Sequence, residues 1–356
     1  MASVALRDRD AITTAEGLIF RVFGYTHPPN AFVCDLEYAP ARVFKSNDPR
    51  AFRTDGENVY YKFYRDEAWR FIASNFPQYE FLHPILQKKV VGVNRRDISA
   101  VRRPQEELER LIERELKDKL LTAMQNVLGI ALKRSELSRK DFGVFGSLLH
   151  RFYHPQFSDI DFVVYGKHNV ARLRATLEAL FAETNSTLRN EFENDKSVKG
   201  KTWRFLNLTL EEFVWHQQRK MIYALFDDKE GGRVIKVEFE PARDWEEITD
   251  EFDPRMRVLQ RGWVRMLARV TGDGDAPFMP SVYEVEPVRV LSGDKNANET
   301  MNVVSFMEEF RLQAWKDEKI YVEGNLEEIT TPKRRFYQIA LTYCPRYYEQ
   351  VVKVVS

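Results

Sequence analysis

Cysteine is nearly absent from this chain: two residues in 356, Cys34 and Cys344. Two are too few for a disulfide framework, and a cysteine-based zinc site has no support either. Both read as small buried or strand-face residues. No apolar run approaches the ~20 residues needed to cross a bilayer, and the N-terminal stretch carries charges with no signal-peptide core. The expectation is a cytoplasmic chain without a membrane partner. Net charge is lacking too, with 54 Lys and Arg against 54 Asp and Glu. A protein that coats nucleic acid over its whole surface is usually basic, so any such contact must come from local patches. Apolar residues at 44% and aromatics at 13% are ample for packed cores. At this length two or three domains are expected. The charged fraction, 30%, exceeds the usual ~25% and leans toward the ion-paired surfaces of thermophiles.

One region stands out. Gly143-Val144-Phe145-Gly146-Ser147 is a short apolar run ending in Gly-Ser, and eleven residues (148–158) later comes Asp159-Ile160-Asp161, leading into Phe162-Val163-Val164. On a strand, residues i and i+2 share a face roughly 6–7 Å apart. Asp159 and Asp161 would therefore project together, with Ile160 and Phe162 facing the other way. Paired carboxylates suit Mg²⁺, which takes oxygen ligands and usually keeps contact with substrate phosphates. A Gly-Ser turn offers backbone N–H groups and a hydroxyl to a triphosphate. Each piece also has a plainer reading. Ser158-Asp159 could be a turn opening a strand, and Ser147 could simply be the N-cap of a helix over 148–152. Asp161 is harder to dismiss, because a carboxylate inside an apolar strand needs a partner or a metal. A third acid is expected on the strand starting at Arg233, where Glu238 and Glu240 share a face; Glu238 is favoured because it sits between Val237 and Phe239.

These residues resemble the nucleotidyltransferase superfamily related to DNA polymerase β, especially its small "minimal" archaeal and bacterial members. That pattern is Gly-Ser, a spacer of about ten residues, Asp-x-Asp on a strand, and a later acidic strand residue, and here it spans roughly residues 140–242. The resemblance implies an enzyme with a central nucleotidyltransferase-fold α/β domain, a small mixed sheet with helices; with the strand-like stretches at both ends, the expected fold is α+β, that domain flanked by β-rich modules. It also implies roles. Two Mg²⁺ ions bound by Asp159, Asp161 and Glu238 (Glu240 as alternative) would align an acceptor hydroxyl with the α-phosphate of an NTP such as ATP. Gly146 and Ser147 would hold the β- and γ-phosphates, pyrophosphate would leave, and the third carboxylate would help deprotonate the hydroxyl. Two departures matter. Many relatives have Asp where this chain has Glu238, and minimal members often place Arg just after Gly-Ser, where Leu148-Leu149-His150 stands. Arg151 is the substitute for that Arg or an ordinary helix residue.

Along the chain, residues 1–103 read as a β-rich module, with strands over 17–25 and 31–38 around a Pro-Pro break and a helix over 66–75. Pro104 opens an amphipathic helix running to about Arg134, its apolar residues Leu108, Leu111, Ile112, Leu116, Leu120, Met124, Val127 and Leu128 recurring at three- and four-residue steps. The catalytic domain is expected over 104–242, with helices over 170–184 and 210–220, a Lys-rich loop over 185–202, and a hairpin whose strands flank 227–232. A helical connector follows over 243–274, with its helix at 255–269. A second β-rich module then covers 275–356, with strands over 282–291, 303–313, 319–328 and 335–343. Glu16-Gly17 and Glu323-Gly324 open similar stretches, which suggests an internal repeat.

Residues 88–103 hold six basic side chains against one Asp, and 195–204 hold four against one. If these border the carboxylates, the acceptor is a polyanion such as RNA, since a long anionic strand needs cations to position it. A protein hydroxyl or a small molecule remains open as acceptor. The competing reading is a nucleic-acid-binding protein whose nucleotidyltransferase core is catalytically weak.

Overall fold

The structure is a computed structural model and describes residues 5–64, 67–114, 118–200, 202–249, 252–343 and 346–355. Leu116, Lys201 and Cys344 lie outside the described residues. Three sheets and, among the described residues, six α-helices make an α+β protein. Its chain forms two compact units, one of Met1–Leu188 and Ala224–Phe252, the other of Arg189–Tyr223 and Asp253–Ser356. This division differs from the four consecutive segments expected from sequence.

The first unit begins with an eight-stranded sheet: β1 (Ala11–Thr13), β2 (Ile19–Val22), β3 (Ala31–Pro40), β4 (Phe52–Thr54), β5 (Val59–Lys62), β6 (Glu80–Leu82), β7 (Lys89–Asn94) and β8 (Ala100–Arg102). Helix α1 (Glu67–Asn75) packs beside it, burying Ala68 and Ile72. The alternation of Phe32, Cys34 and Leu36 on β3 places those side chains in one core with Phe20, Val22, Ile72 and Tyr79.

The rest of the first unit follows from Pro104. The single long helix expected from Pro104 is two helices, α2 (Pro104–Ile112) and α3 (Lys119–Ser135). Asp118 explains the restart, because its carboxylate accepts from the backbone N–H of Leu120 and Leu121 as an N-cap. The remaining elements up to Ala242 are β9 (Phe142–Val144), α4 (Gly146–His150), β10 (Ile160–Tyr165), α5 (Lys167–Ala182), β11 (Leu188–Asn190), where the chain passes to the second unit at Arg189, α6 (Leu210–Arg219) of that second unit, and then β12 (Tyr223–Asp228) and β13 (Arg233–Ala242). Strand β11 falls within the span expected to be loop. The sheet order is β11-β12-β13-β10-β9, with β13 parallel and β9 antiparallel to β10. Gly143 lets α2 come close to β9, since a Cβ there would lie 2.6 Å from Pro104. Ile160, Phe162 and Val164 form one buried face of β10, where Phe162 stacks on Phe239 at 5.5 Å.

The other face of β10 meets the first sheet. Val163 and Tyr165 share a core with Ala11, Ile19, Tyr38, Phe145, Leu149 and Phe152. Fully burying each such large apolar side chain contributes about 1.5–3 kcal/mol, so this junction is part of the unit's core. The segment Arg7-Asp8-Arg9-Asp10 is buried despite its four charges. Arg7 lies 3.7 Å over the Tyr165 ring and 4.7 Å over Trp245, and donates to the carbonyl oxygen of Arg243 and to Gln105.

The second unit contains a six-stranded sheet of β14 (Arg257–Asp275), β15 (Ser281–Ser292), β16 (Thr300–Ser305), β17 (Lys319–Thr330), β18 (Arg335–Leu341) and β19 (Val351–Val354). The helical connector over 243–274, with its helix at 255–269, is overturned: 257–275 is one long strand. Val264, Met266, Ala268 and Val270 are each buried, a period of two that only a strand puts on one face. The strand expected over 303–313 stops at Ser305, whose hydroxyl accepts from the N–H of Met307 and turns the chain into a 3₁₀ segment at Glu308–Phe310. The suggested repeat has no structural counterpart, because Gly17 occupies a turn at φ +84° while Gly324 lies inside β17. No helix among the described residues is long and apolar enough to cross a membrane.

Candidate active site

Strand β10 starts at Ile160, so Asp159 sits just before it and is exposed, while Asp161 is inside the strand and partly buried. In the parallel register Asp161 is opposite Glu238 and Val163 is opposite Glu240. Neighbouring strands lie about 4.8 Å apart and register partners share a face, so the Asp161 and Glu238 side chains leave the sheet at one level, and Glu240 leaves it one step further along. There the environments diverge. Glu240 is buried and its Oε2 accepts from Arg9 Nη2 at 2.7 Å. Arg9 also lies 5.0 Å from the Phe145 ring, next to the Gly-Ser turn. Glu238 is partly exposed.

The turn is shaped around Asp161. Gly146 has φ +58°, a left-handed conformation, and a Cβ there would lie 2.2 Å from Asp161 Oδ2. Any side chain would therefore displace the carboxylate, so glycine is needed for both conformation and space. The N–H of Phe145 donates to the carbonyl oxygen of Asp161 at 2.8 Å, which fixes turn against strand. Ser147 is not the N-cap: Phe145 holds that position, and Ser147 is the second residue of α4. Arg151 caps the helix in the left-handed region and its Nε donates to Glu107 at 2.6 Å, so it is occupied by an ion pair.

Burial first, then Asp159, Glu240 and Glu37, push the Asp161 carboxyl up to about 7, with Lys62 acting in the opposite sense. Among the described residues no hydrogen-bond donor reaches this carboxylate. A buried acid short of donors and crowded by other acids suits a cation. In donor chemistry, Asp159, Asp161 and Glu238 offer only carboxylate oxygens, the kind of ligand a divalent ion such as Mg²⁺ takes. No three His, Cys, Asp or Glu side chains among the described residues gather closely enough to hold a metal ion by themselves. Phosphate oxygens and water would complete the shell, which is how Mg²⁺ is usually bound in nucleotide sites.

Sequence reasoning missed the first sheet's contribution. Arg9, Glu37 and Lys62 all act on the carboxylate strands, and no local pattern marks them. His150, read only as a departure, is buried with neither ring nitrogen hydrogen-bonded. Burial, then Arg102 and Lys62, lower its pKa to about 3, so it is neutral. Of the basic stretch 88–103, Arg95 donates to the Pro29 carbonyl and Arg102 to that of Leu149 in α4, whereas Arg96 has an exposed side chain (85%). The stretch 195–204 belongs to the second unit.

Residues 125–240 match the family model described as a nucleotidyltransferase domain, a span that includes Gly146, Ser147, Asp159, Asp161 and Glu238. The chain is similar to an uncharacterized protein of Methanocaldococcus jannaschii, 29% identical over 98% of this chain and 99% of that one. No solved structure matches it. The protein carries a nucleotidyltransferase domain over residues 125–240.

Proposed function

We propose that the protein transfers a nucleoside monophosphate from an NTP to an acceptor hydroxyl, releasing pyrophosphate. The observation that carries this reading is the fit of Gly146 against Asp161, with Glu238 at the same level on the parallel neighbour strand. Asp159, Asp161 and Glu238 would hold two Mg²⁺ ions, which when bound neutralise charge on the attacking and leaving oxygens of an in-line displacement. Glu238, partly exposed and opposite Asp161, is assigned to this set and to accepting the acceptor's proton. Glu240 is assigned to holding Arg9 in the core, because its carboxylate is already paired. Gly146 and Ser147 bind the β- and γ-phosphates through backbone N–H groups and the serine hydroxyl.

The acceptor favoured here is RNA or another polyanion. Arg96 and Lys89 are exposed cations of the first unit, and Lys196 and Lys199 belong to the second. In the decisive experiment the protein is incubated with Mg²⁺ and total cellular RNA or protein, using NTPs labelled at the α- or the γ-phosphate. Label should move to the acceptor from the α-position and leave as pyrophosphate from the γ-position. An α-label that moves to no acceptor class would refute the reading. Transfer to RNA should weaken steeply as salt rises, and salt-independent transfer would point to a protein or small-molecule acceptor.

A further inference from the structure

Lys62 ends β5 on the side of the first sheet that faces the catalytic strands. Its register partner on β3 is Tyr38, and directly opposed residues of an antiparallel pair share a face. Tyr38 sits in the core with Phe145, Leu149 and Val163, its ring 5.2 Å from His150 and 5.3 Å from Phe152. Tyr60, two residues before Lys62 and so on the same face, packs on Phe152 at 4.7 Å. Two aromatic anchors thus aim this face at the segment that follows the Gly146-Ser147 turn. Val163, in that core, is two residues beyond Asp161 on the same face of β10. The charges of Lys62 and Asp161 act on each other, and Tyr38 first, then Glu37 and Asp161, raise the pKa of Lys62 against the cost of burial.

Among the described residues Lys62 forms no ion pair, and the Tyr64 ring lies 5.9 Å from Nζ. His150 beside it is neutral. A partly buried cation near, but not paired with, a carboxylate is placed to meet an anion that arrives from outside. Its neighbours are the residues directly after the Gly-Ser turn, so the anion expected there is the phosphate chain. An ammonium is a compact point charge suited to phosphate oxygens.

We propose that Lys62 binds the triphosphate of the incoming nucleotide, so that the first sheet completes the nucleotide site. This rests on the nucleotidyl-transfer reading above and extends it to a residue outside the matched domain. The test is equilibrium binding of ATP, CTP, GTP and UTP with Mg²⁺ and no acceptor, to the wild type, Lys62→Met and Lys62→Arg. The Met variant keeps the aliphatic stem. It should bind the preferred triphosphate at least tenfold more weakly, bind the matching nucleoside monophosphate unchanged, and melt like the wild type. The Arg variant should recover most of the affinity. Wild-type affinity in Lys62→Met overturns the proposal and leaves the transfer reading standing. Equal weakening in both variants, with lowered melting in both, assigns Lys62 a packing role and overturns it as well. A wild type that binds no NTP removes the transfer reading and this proposal together.

Discussion

Two strand acids in this molecule have opposite surroundings. Glu323 on β17 has an almost fully buried side chain (1% exposed) and is saturated with donors. Its carboxylate accepts from Trp263 Nε1 at 2.7 Å, Arg265 Nε at 3.0 Å, the Tyr321 hydroxyl at 2.8 Å and Asn207 Nδ2 at 3.1 Å. Asp161 on β10 has no such donor among the described residues and is crowded by other acids. A carboxylate supplied with four donors is a structural element. A carboxylate left without them is destabilising unless a cation or another donor meets it. The difference sets a fold-holding acid, Glu323, apart from the acid that the proposed function uses, without reference to any relative.

The sharpest break between the two is substitution. Asp161→Asn should reduce transfer roughly a thousandfold, the scale of the several kcal/mol that metal-assisted charge neutralisation supplies, measured as single-turnover rates. Near-wild-type activity would end the metal reading. Glu323→Ala should instead lower stability, because it leaves the buried-side donors of Trp263, Tyr321 and Asn207 without their acceptor, as read by denaturant melts. If that variant is as stable as the wild type, the distinction fails.

Glu238 and Glu240 differ in another way on one strand: Glu240 is buried against Arg9, while Glu238 is partly exposed. Glu238→Gln should lower kcat about 10–100-fold with little change in melting, the usual scale for disturbing a metal site. Glu240→Gln should lower stability through Arg9 and affect kcat less. A reversed pattern would assign Glu240 to the metal.

The smallest effect concerns pH. In the absence of divalent ions, the folded-state pKa of Asp161 is raised to about 7 by burial and then Asp159. The folded protein then holds a proton that the unfolded chain loses near pH 4. Asp161 therefore favours folding below pH 4, and that contribution is lost as pH rises through 7. Asp161→Asn should accordingly gain on the wild type in melting temperature between pH 4 and 7. Asp10, also raised to about 7 by burial, is common to both proteins and cancels. A constant difference across that range would mean Asp161 titrates normally.

Much of the nucleotidyltransferase domain was legible from the chain itself. Gly146, Asp161 and the acidic strand at Glu238 carry their pattern in near-neighbour residues, and the α5 and α6 helices announce themselves by periodicity. Strand β14 was misread because Met266, Leu267, Ala268 and the arginines are strong helix formers. The period of two at Val264, Met266, Ala268 and Val270 was present but outweighed by propensity, and the pairing with β15 and β17 decides the structure. The Arg9–Glu240 pair joins residues 231 positions apart, and Lys62 is 99 before Asp161. Contacts of that kind have no local signature, so the first sheet's part in the site could only come from the folded chain.

The second unit is assembled from two separate stretches, with Leu208 in the same core as Val264, Val322 and Val351. During synthesis, residues 189–223 leave the ribosome well before the strands they pack with exist, a wait on the order of ten seconds at ordinary elongation rates. Phe205, Leu208 and Phe213 spend that interval without their core. Slower translation of the C-terminal third should therefore lengthen the exposure of this stretch to chaperones and proteases.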